Sequence, residues 1–119
     1  LARLAWGVEV SMADVQREGI AGLTDADFAA AAGSGQVIKL IASAWASGDP
    51  TSPRVELAVR PVSLGVDDPF AQTREGRNTL LIETEMAGTL RLAGAGAGGQ
   101  ETASAVLGDV VNAARRLFE

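Results

Sequence analysis

The sequence predicts an α+β fold: a small, mainly antiparallel (mixed) sheet of about four strands, helices packed on one side, and a C-terminal helix after a glycine-rich loop. Three observations carry this. Residues Arg54–Leu64 alternate, with Val55, Leu57 and Val59 on one face and Glu56 and Arg60 on the other, which is the period of a half-buried strand. The preceding stretch, Gly35–Ala46, holds Val37, Ile38, Leu40 and Ile41; its β-branched residues and nearby glycines favour strand over helix. Near the end, GAGAGGQETASAV (Gly94–Val106) leads from a strand-like run into a helical pattern.

The elements follow in order. The opening LARLAWG puts Leu1, Leu4 and Ala5 on one helical face, with Gly7 as the expected C-cap. No Met and no capping residue precedes Leu1. The expected reading is therefore the C-terminal piece of a longer protein, with an artificially trimmed end as the plainer alternative. Ser11-Met12-Ala13-Asp14 and Thr24-Asp25-Ala26-Asp27 each resemble a capping box with Asp in place of Glu. The second starts a short helix, Asp25–Ala32, closed by Gly33. Ser47–Pro53 is a loop, across which Gly35–Ala46 and Arg54–Leu64 pair as a hairpin. Pro61 is expected to end that pairing or to mark an edge. Gly65–Gly76 is turn-rich. Asn78–Glu83 and Thr89–Ala93 form a second hairpin around Glu85-Met86-Ala87-Gly88.

The final helix, about Glu101–Phe118, carries Val106, Val110, Ala113 and Leu117 on one stripe. Gly108 inside it costs about 1 kcal/mol relative to Ala, which suggests close packing against a neighbour. Arg115 and Arg116 suit the negative end of the helix dipole. The whole chain, 1–119, reads as a single domain.

Composition bounds the chemistry. A chain of 119 residues can bury roughly two-thirds of its unfolded surface. Its net charge of −5 argues against a nucleic-acid binder, which would show a basic patch. With no His and no Cys, disulfides, His or Cys metal sites, cysteine nucleophiles and Ser–His dyads are all excluded. No apolar run approaches the length of a membrane span, and nothing resembles a signal peptide, so a cytoplasmic protein is expected.

Gly94, Gly96 and Gly99 satisfy G-x-G-x-x-G between a strand and a helix, the local context of a dinucleotide-binding turn. That fingerprint also needs a second strand and an acidic residue about 20 positions on, and the sequence stops with the helix. Two readings stay open. The glycines either relieve crowding in a tight strand-to-helix connection, or they bring bare N–H groups and the first helical turn, with Thr102 and Ser104, up to a polar ligand. Asp67 and Asp68, beside Pro69, read as turn formers more than as a carboxylate pair. Lys39 reads as a snorkelling residue more than as a buried, perturbed lysine. Trp6 and Trp45 read as core or interface anchors, and Glu18 as a structural residue rather than a ligand contact. Residue chemistry alone assembles no catalytic centre.

In order along the chain, LARLAWGVEVSMADVQREGI (Leu1–Ile20), GLTDADFAAA (Gly22–Ala31), GQVIKLIASA (Gly35–Ala44), VELAVRPVSL (Val55–Leu64), DPFA (Asp68–Ala71), GRNTLLIE (Gly76–Glu83) and GAGAGGQETASAVLGDVVNAARRL (Gly94–Leu117) resemble the C-terminal half of homoserine dehydrogenase. The resemblance departs at Asp68, where the family has His in D-H-P-L-A, and at Gln36, where an aromatic is usual. It implies NAD(P)-dependent interconversion of L-homoserine and L-aspartate 4-semialdehyde, on the aspartate pathway to threonine and methionine. It also implies a small-molecule substrate, NADP or NAD as cofactor, and a homodimer whose sheet this segment largely supplies. Carried along the motif, the glycine beside the cofactor is Gly98. The family's catalytic lysine, its acidic substrate ligands, its metal site and its Rossmann fingerprint all match positions upstream of Leu1, so no catalytic or metal residue is assigned within 1–119. The family's last helix packs back on the nucleotide domain, and the segment alone is expected to be inactive. The rival reading is a non-enzymatic α+β dimerisation or ligand-sensing module.

Overall fold

A computed structural model describes the backbone of residues 1–118 and the side chains of 1–117. The chain divides into two compact units, Leu1–Ala71 and Gln72–Glu119. The first holds α1 (Ala2–Trp6), a 3-10 turn (Met12–Asp14), β1 (Val15–Arg17), α2 (Asp25–Gly33), β2 (Gln36–Ser47) and β3 (Arg54–Gly65). The second holds β4 (Arg77–Thr84), β5 (Gly88–Ala95) and α3 (Gly99–Phe118). The α+β class stands. The strands, however, number five among the described residues and lie in a sheet of three and a sheet of two, rather than about four in one sheet.

The three-stranded sheet has the order β1-β3-β2. β2 and β3 run antiparallel along their whole length, from Gln36 opposite Gly65 to Ser47 opposite Arg54. β1 joins the other edge of β3 in parallel, Val15 opposite Leu57 and Arg17 opposite Val59, and makes the sheet mixed. Three residues of Val-Gln-Arg carry no readable alternation, so β1 had no signature in the sequence.

Pro61 lies inside β3, opposite Leu40, and does not end the pairing. The ladder explains why it is tolerated. The Val59 carbonyl accepts from Glu18 N–H at 2.9 Å, on the β1 side. Backbone groups two residues apart face the same way, so position 61 also faces that side, beyond the last β1 pair. The N–H that proline lacks would have had no ladder partner, as at a sheet edge.

Local chemistry sets the helix ends. Gly7 closes α1 at φ 65°, in the left-handed region, and its N–H donates to the Arg3 carbonyl. Both capping boxes form. The Thr24 N–H and hydroxyl donate to Asp27 Oδ2 at 2.8 and 2.6 Å, and Thr24 Oγ1 accepts from Asp27 N–H. Ser11 and Asp14 repeat the arrangement at the 3-10 turn. These donors hold the Asp27 carboxyl below the usual carboxylate range, the Thr24 hydroxyl first and its N–H second. The Ser11 N–H and then its hydroxyl do the same for Asp14.

α2 packs on β2, the one extensive helix–strand contact among the described residues. The buried apolar residues are small: Ala2, Ala31 and Ala71. Leu1 and Leu4, on the face of α1 that the sequence marked as apolar, are exposed, and Ala2 turns inward instead. The α3 stripe is exposed too, with Val106 at 57%, Val110 at 58% and Leu117 at 81%. A Cβ at Gly108 would meet no atom of the chain within 4 Å. Within the described residues of the second unit, no neighbour accounts for this glycine. Among the described residues, no helix is long and apolar enough to cross a membrane.

The Thr24 cap gives a first prediction. Thr24→Ala should lower stability to urea by about 1 kcal/mol near neutral pH. Because the folded-state pKa of Asp27 is depressed, its contribution is present above the unfolded value of about 3.8 and lost as pH falls through the folded value. The difference between variant and parent should therefore shrink in acid below that value; a gap that stays constant or widens there would contradict the cap.

Candidate functional site

The second unit builds its site at the open end of the β4–β5 hairpin. The two strands pair antiparallel from Thr84 opposite Gly88 to Arg77 opposite Ala95. At the closed end the Thr84 hydroxyl accepts from Ala87 N–H and donates to the Gly88 carbonyl, both at 3.0 Å. At the open end the chain leaves the ladder in a fixed way. The Gly96 and Ala97 N–H groups both donate to the Gly76 carbonyl, at 2.9 and 2.8 Å.

Gly76 is suited to this role by its missing side chain. It adopts φ 68°, directly after Glu75 at φ 53°. A Cβ there would lie 2.5 Å from the Ala97 carbonyl oxygen, which is backbone and cannot swing away. Gly96 is crowded differently, since a Cβ would run into the Asn78 carboxamide. Gly98 adopts φ 149°, a conformation that side chains rarely take, and a Cβ there would overlap the Glu101 carboxylate.

Gly98 is also where the helix starts. Its carbonyl accepts from Thr102 N–H at 3.0 Å, the first i→i−4 bond of α3. The N–H groups of Gly99, Gln100 and Glu101 are among those that every helix leaves unpaired at its beginning, and the dipole makes that end electropositive. Glu101 in the first turn offsets part of this charge. From Gly98 an open, largely apolar face of α3 runs past Thr102, Ala103 and Val106 to Val110. One end thus offers bare backbone and the other an apolar floor.

The strand–turn–helix context read from the three glycines is real, but β5 belongs to a two-stranded antiparallel hairpin. A dinucleotide fingerprint requires the parallel βαβ unit, which the described residues do not form. The other candidates fall elsewhere. Asp68 Oδ1 accepts from Phe70 N–H at 2.7 Å in an Asx turn. Glu18 extends the β1–β3 ladder through its backbone. Lys39 lies half-buried on β2, opposite Val62. Trp45 is 55% exposed, opposite Glu56. Among the described residues, no group of three or more His, Cys, Asp or Glu is placed to hold a metal ion.

Comparison with known proteins places this architecture. The family model described as homoserine dehydrogenase matches residues 1–111. The chain belongs to the homoserine dehydrogenase family. It is 42% identical over 117 residues to the homoserine dehydrogenase of Corynebacterium glutamicum, covering 97% of this chain and 26% of that protein. With the Bacillus subtilis enzyme it shares 32% over 111 residues, covering 93% of the chain and 25% of the relative. The chain thus spans about a quarter of the length of the curated homoserine dehydrogenases it matches. Among solved structures, the homoserine dehydrogenase of Thiobacillus denitrificans superposes with a TM-score of 0.75 at 31% identity, over 92% of this chain and 25% of that one. The Staphylococcus aureus enzyme at pH 6.0 gives 0.72 at 27%, over 99% and 29%.

In the second unit, the sequence pointed to the glycine turn but not to its supports, Gly76 and Asn78. The available signal was the Glu75-Gly76 pair, two consecutive left-handed residues just before a strand. Gly76→Ala should destabilise the protein by about 1–2 kcal/mol from the left-handed conformation alone, with further loss from the carbonyl contact. Gly108→Ala, whose Cβ meets open space, serves as control and should be neutral or stabilising in the 119-residue chain. Denaturant unfolding measures both, and equal effects would contradict the Gly76 account.

Proposed function

We propose that this segment is the C-terminal catalytic and dimerisation portion of an NAD(P)-dependent homoserine dehydrogenase. The enzyme interconverts L-homoserine and L-aspartate 4-semialdehyde, on the route to threonine and methionine in the cytoplasm. The observation that carries the reading is the family match over residues 1–111, joined to a turn whose form suits a coenzyme. Gly98 carries no side chain and adopts φ 149°, with the Glu101 carboxylate on one side of it, unpaired N–H groups follow it, and an open apolar face of α3 runs from it. These features fit one edge of a nicotinamide coenzyme, with Gly98 as the residue beside it.

When bound, the coenzyme supplies hydride transfer: the hydroxyl-bearing carbon of homoserine gives a hydride to the oxidised nicotinamide, and the hydroxyl releases a proton. The residues described above bind and orient; none of them moves that proton. The resemblance assigns that task to a lysine matching a position upstream of Leu1, where the main nucleotide cradle is also matched. Gly98 then forms the far wall of the cofactor site. The apolar stripe of α3, exposed at Val106, Val110 and Leu117, is proposed to be covered by the nucleotide domain.

The assay is coenzyme-dependent homoserine oxidation by the complete enzyme carrying this segment. Gly98→Val should raise the KM for coenzyme about tenfold or more, equivalent to at least about 1.4 kcal/mol, and leave the KM for homoserine within about twofold. The 119-residue chain alone should show no turnover. Robust turnover by that chain, or an unchanged coenzyme KM in the variant, would contradict the proposal.

The complete enzyme is further proposed to be a homodimer. The face of β2–β3 formed by Ile38, Leu40, Ala42, Ala44, Val55, Leu57 and Val59 is apolar, and Leu40 on it is 53% exposed. A surface of this kind is characteristic of an interface. Sedimentation velocity should show twice the monomer mass; a monomer at micromolar concentration would contradict it.

A further inference from the structure

The Gly94–Gly98 turn carries no side chain larger than the Ala95 and Ala97 methyls, so its shape must be fixed by what lies against it. One support is the Gly76 carbonyl, which accepts from both Gly96 and Ala97. The other is Asn78. In the β4–β5 ladder Asn78 stands opposite Gly94, yet its carboxamide occupies the space that a Cβ on Gly96 would need. It therefore reaches diagonally across the strands, two residues on, a distance that cross-strand side chains regularly span. Among the described residues its carboxamide makes no hydrogen bond with the protein, so the contact is one of shape.

We propose that Asn78 is a positioning residue for coenzyme binding: its side chain wedges against Gly96 and holds the Gly96–Gly98 backbone where the coenzyme meets it. This rests on the reading of the turn given under Proposed function. Two consequences follow. A side chain at position 96 requires the Asn78 carboxamide to give up the place it holds. The requirement at 78, in turn, is for volume more than for polarity, so a residue of similar size retains the function and a truncated one does not.

The test is a set of variants in the complete enzyme, each assayed for coenzyme KM, homoserine KM and thermal midpoint. Asn78→Ala should raise the coenzyme KM about threefold to tenfold, with homoserine KM and midpoint little changed. Asn78→Leu, which keeps the branched shape and heavy-atom count of Asn while being bulkier and apolar, should stay within about twofold of the parent. Gly96→Ala should raise the coenzyme KM in the parent background. In the Asn78→Ala background it should have little further effect or partly restore binding, because the methyl enters the vacated space; the coupling between the two sites is the decisive quantity.

A strictly multiplicative pair, an unchanged Asn78→Ala, or equal losses in the Ala and Leu variants would overturn the proposal. If Gly98→Val raises the coenzyme KM while the Asn78 variants behave like the parent, the Asn78 inference fails and the turn reading stands. If none of the three positions affects the coenzyme KM, the turn reading itself fails.

Discussion

The β2–β3 ladder places β1 and α2 in the first unit. Twelve residues of Gln36–Ser47 face twelve of Arg54–Gly65 without a break, and both remaining contacts of the sheet depend on it. β1 is added at the free edge of β3, and α2 packs on β2. Backbone pairing of this extent fixes geometry, but it does not remove apolar surface from water, which is the larger source of stability in most domains. Only alanines are buried within the described residues, while Leu40, Trp45 and the α3 stripe remain exposed. A segment built this way has its shape set by hydrogen bonds and its apolar faces left for neighbours. That matches a chain spanning about a quarter of its relatives' length.

The second unit repeats this logic at smaller scale. Its hairpin ends in a joint where one carbonyl, that of Gly76, accepts from two successive N–H groups. The joint turns the chain out of the ladder and delivers it to α3 within three residues. Every glycine that matters there is explained by a different neighbour: Gly76 by the Ala97 carbonyl, Gly96 by the Asn78 carboxamide, Gly98 by its own backbone angle and the Glu101 carboxylate. A glycine-rich loop is often taken as loose. Here the glycines are what allow a closely fitted turn.

Much of this was legible in the residues, and the failures have physical causes. Alternation in Arg54–Leu64 gave β3 and its register face, and Ser11 and Thr24 gave both caps, because these signals are local. β1 was not legible, since three residues that pair in parallel leave no period. Pro61 suggested an end to the pairing or an edge position because the rule concerns a missing N–H, and its N side does face a stretch of β3 edge that no strand covers. Only the ladder shows which way position 61 faces. The α3 stripe was read correctly as apolar, but what covers it is not written in its period. At the turn, the resemblance pointed to Gly98, and nothing in the sequence pointed to the contact of Asn78 with Gly96. That contact depends on the hairpin register, which places side chains from distant positions together.

The central claim is that the turn from Gly96 to Thr102 forms one wall of a coenzyme site. Hydrogen–deuterium exchange on the complete enzyme, with and without saturating NADP or NAD, tests it most directly. Amides of Gly96–Gly99 and the first turn of α3 should exchange more slowly with coenzyme bound, while those of the β4–β5 tip at Glu85–Ala87 stay unchanged. Protection confined to regions outside residues 94–102 would contradict the claim.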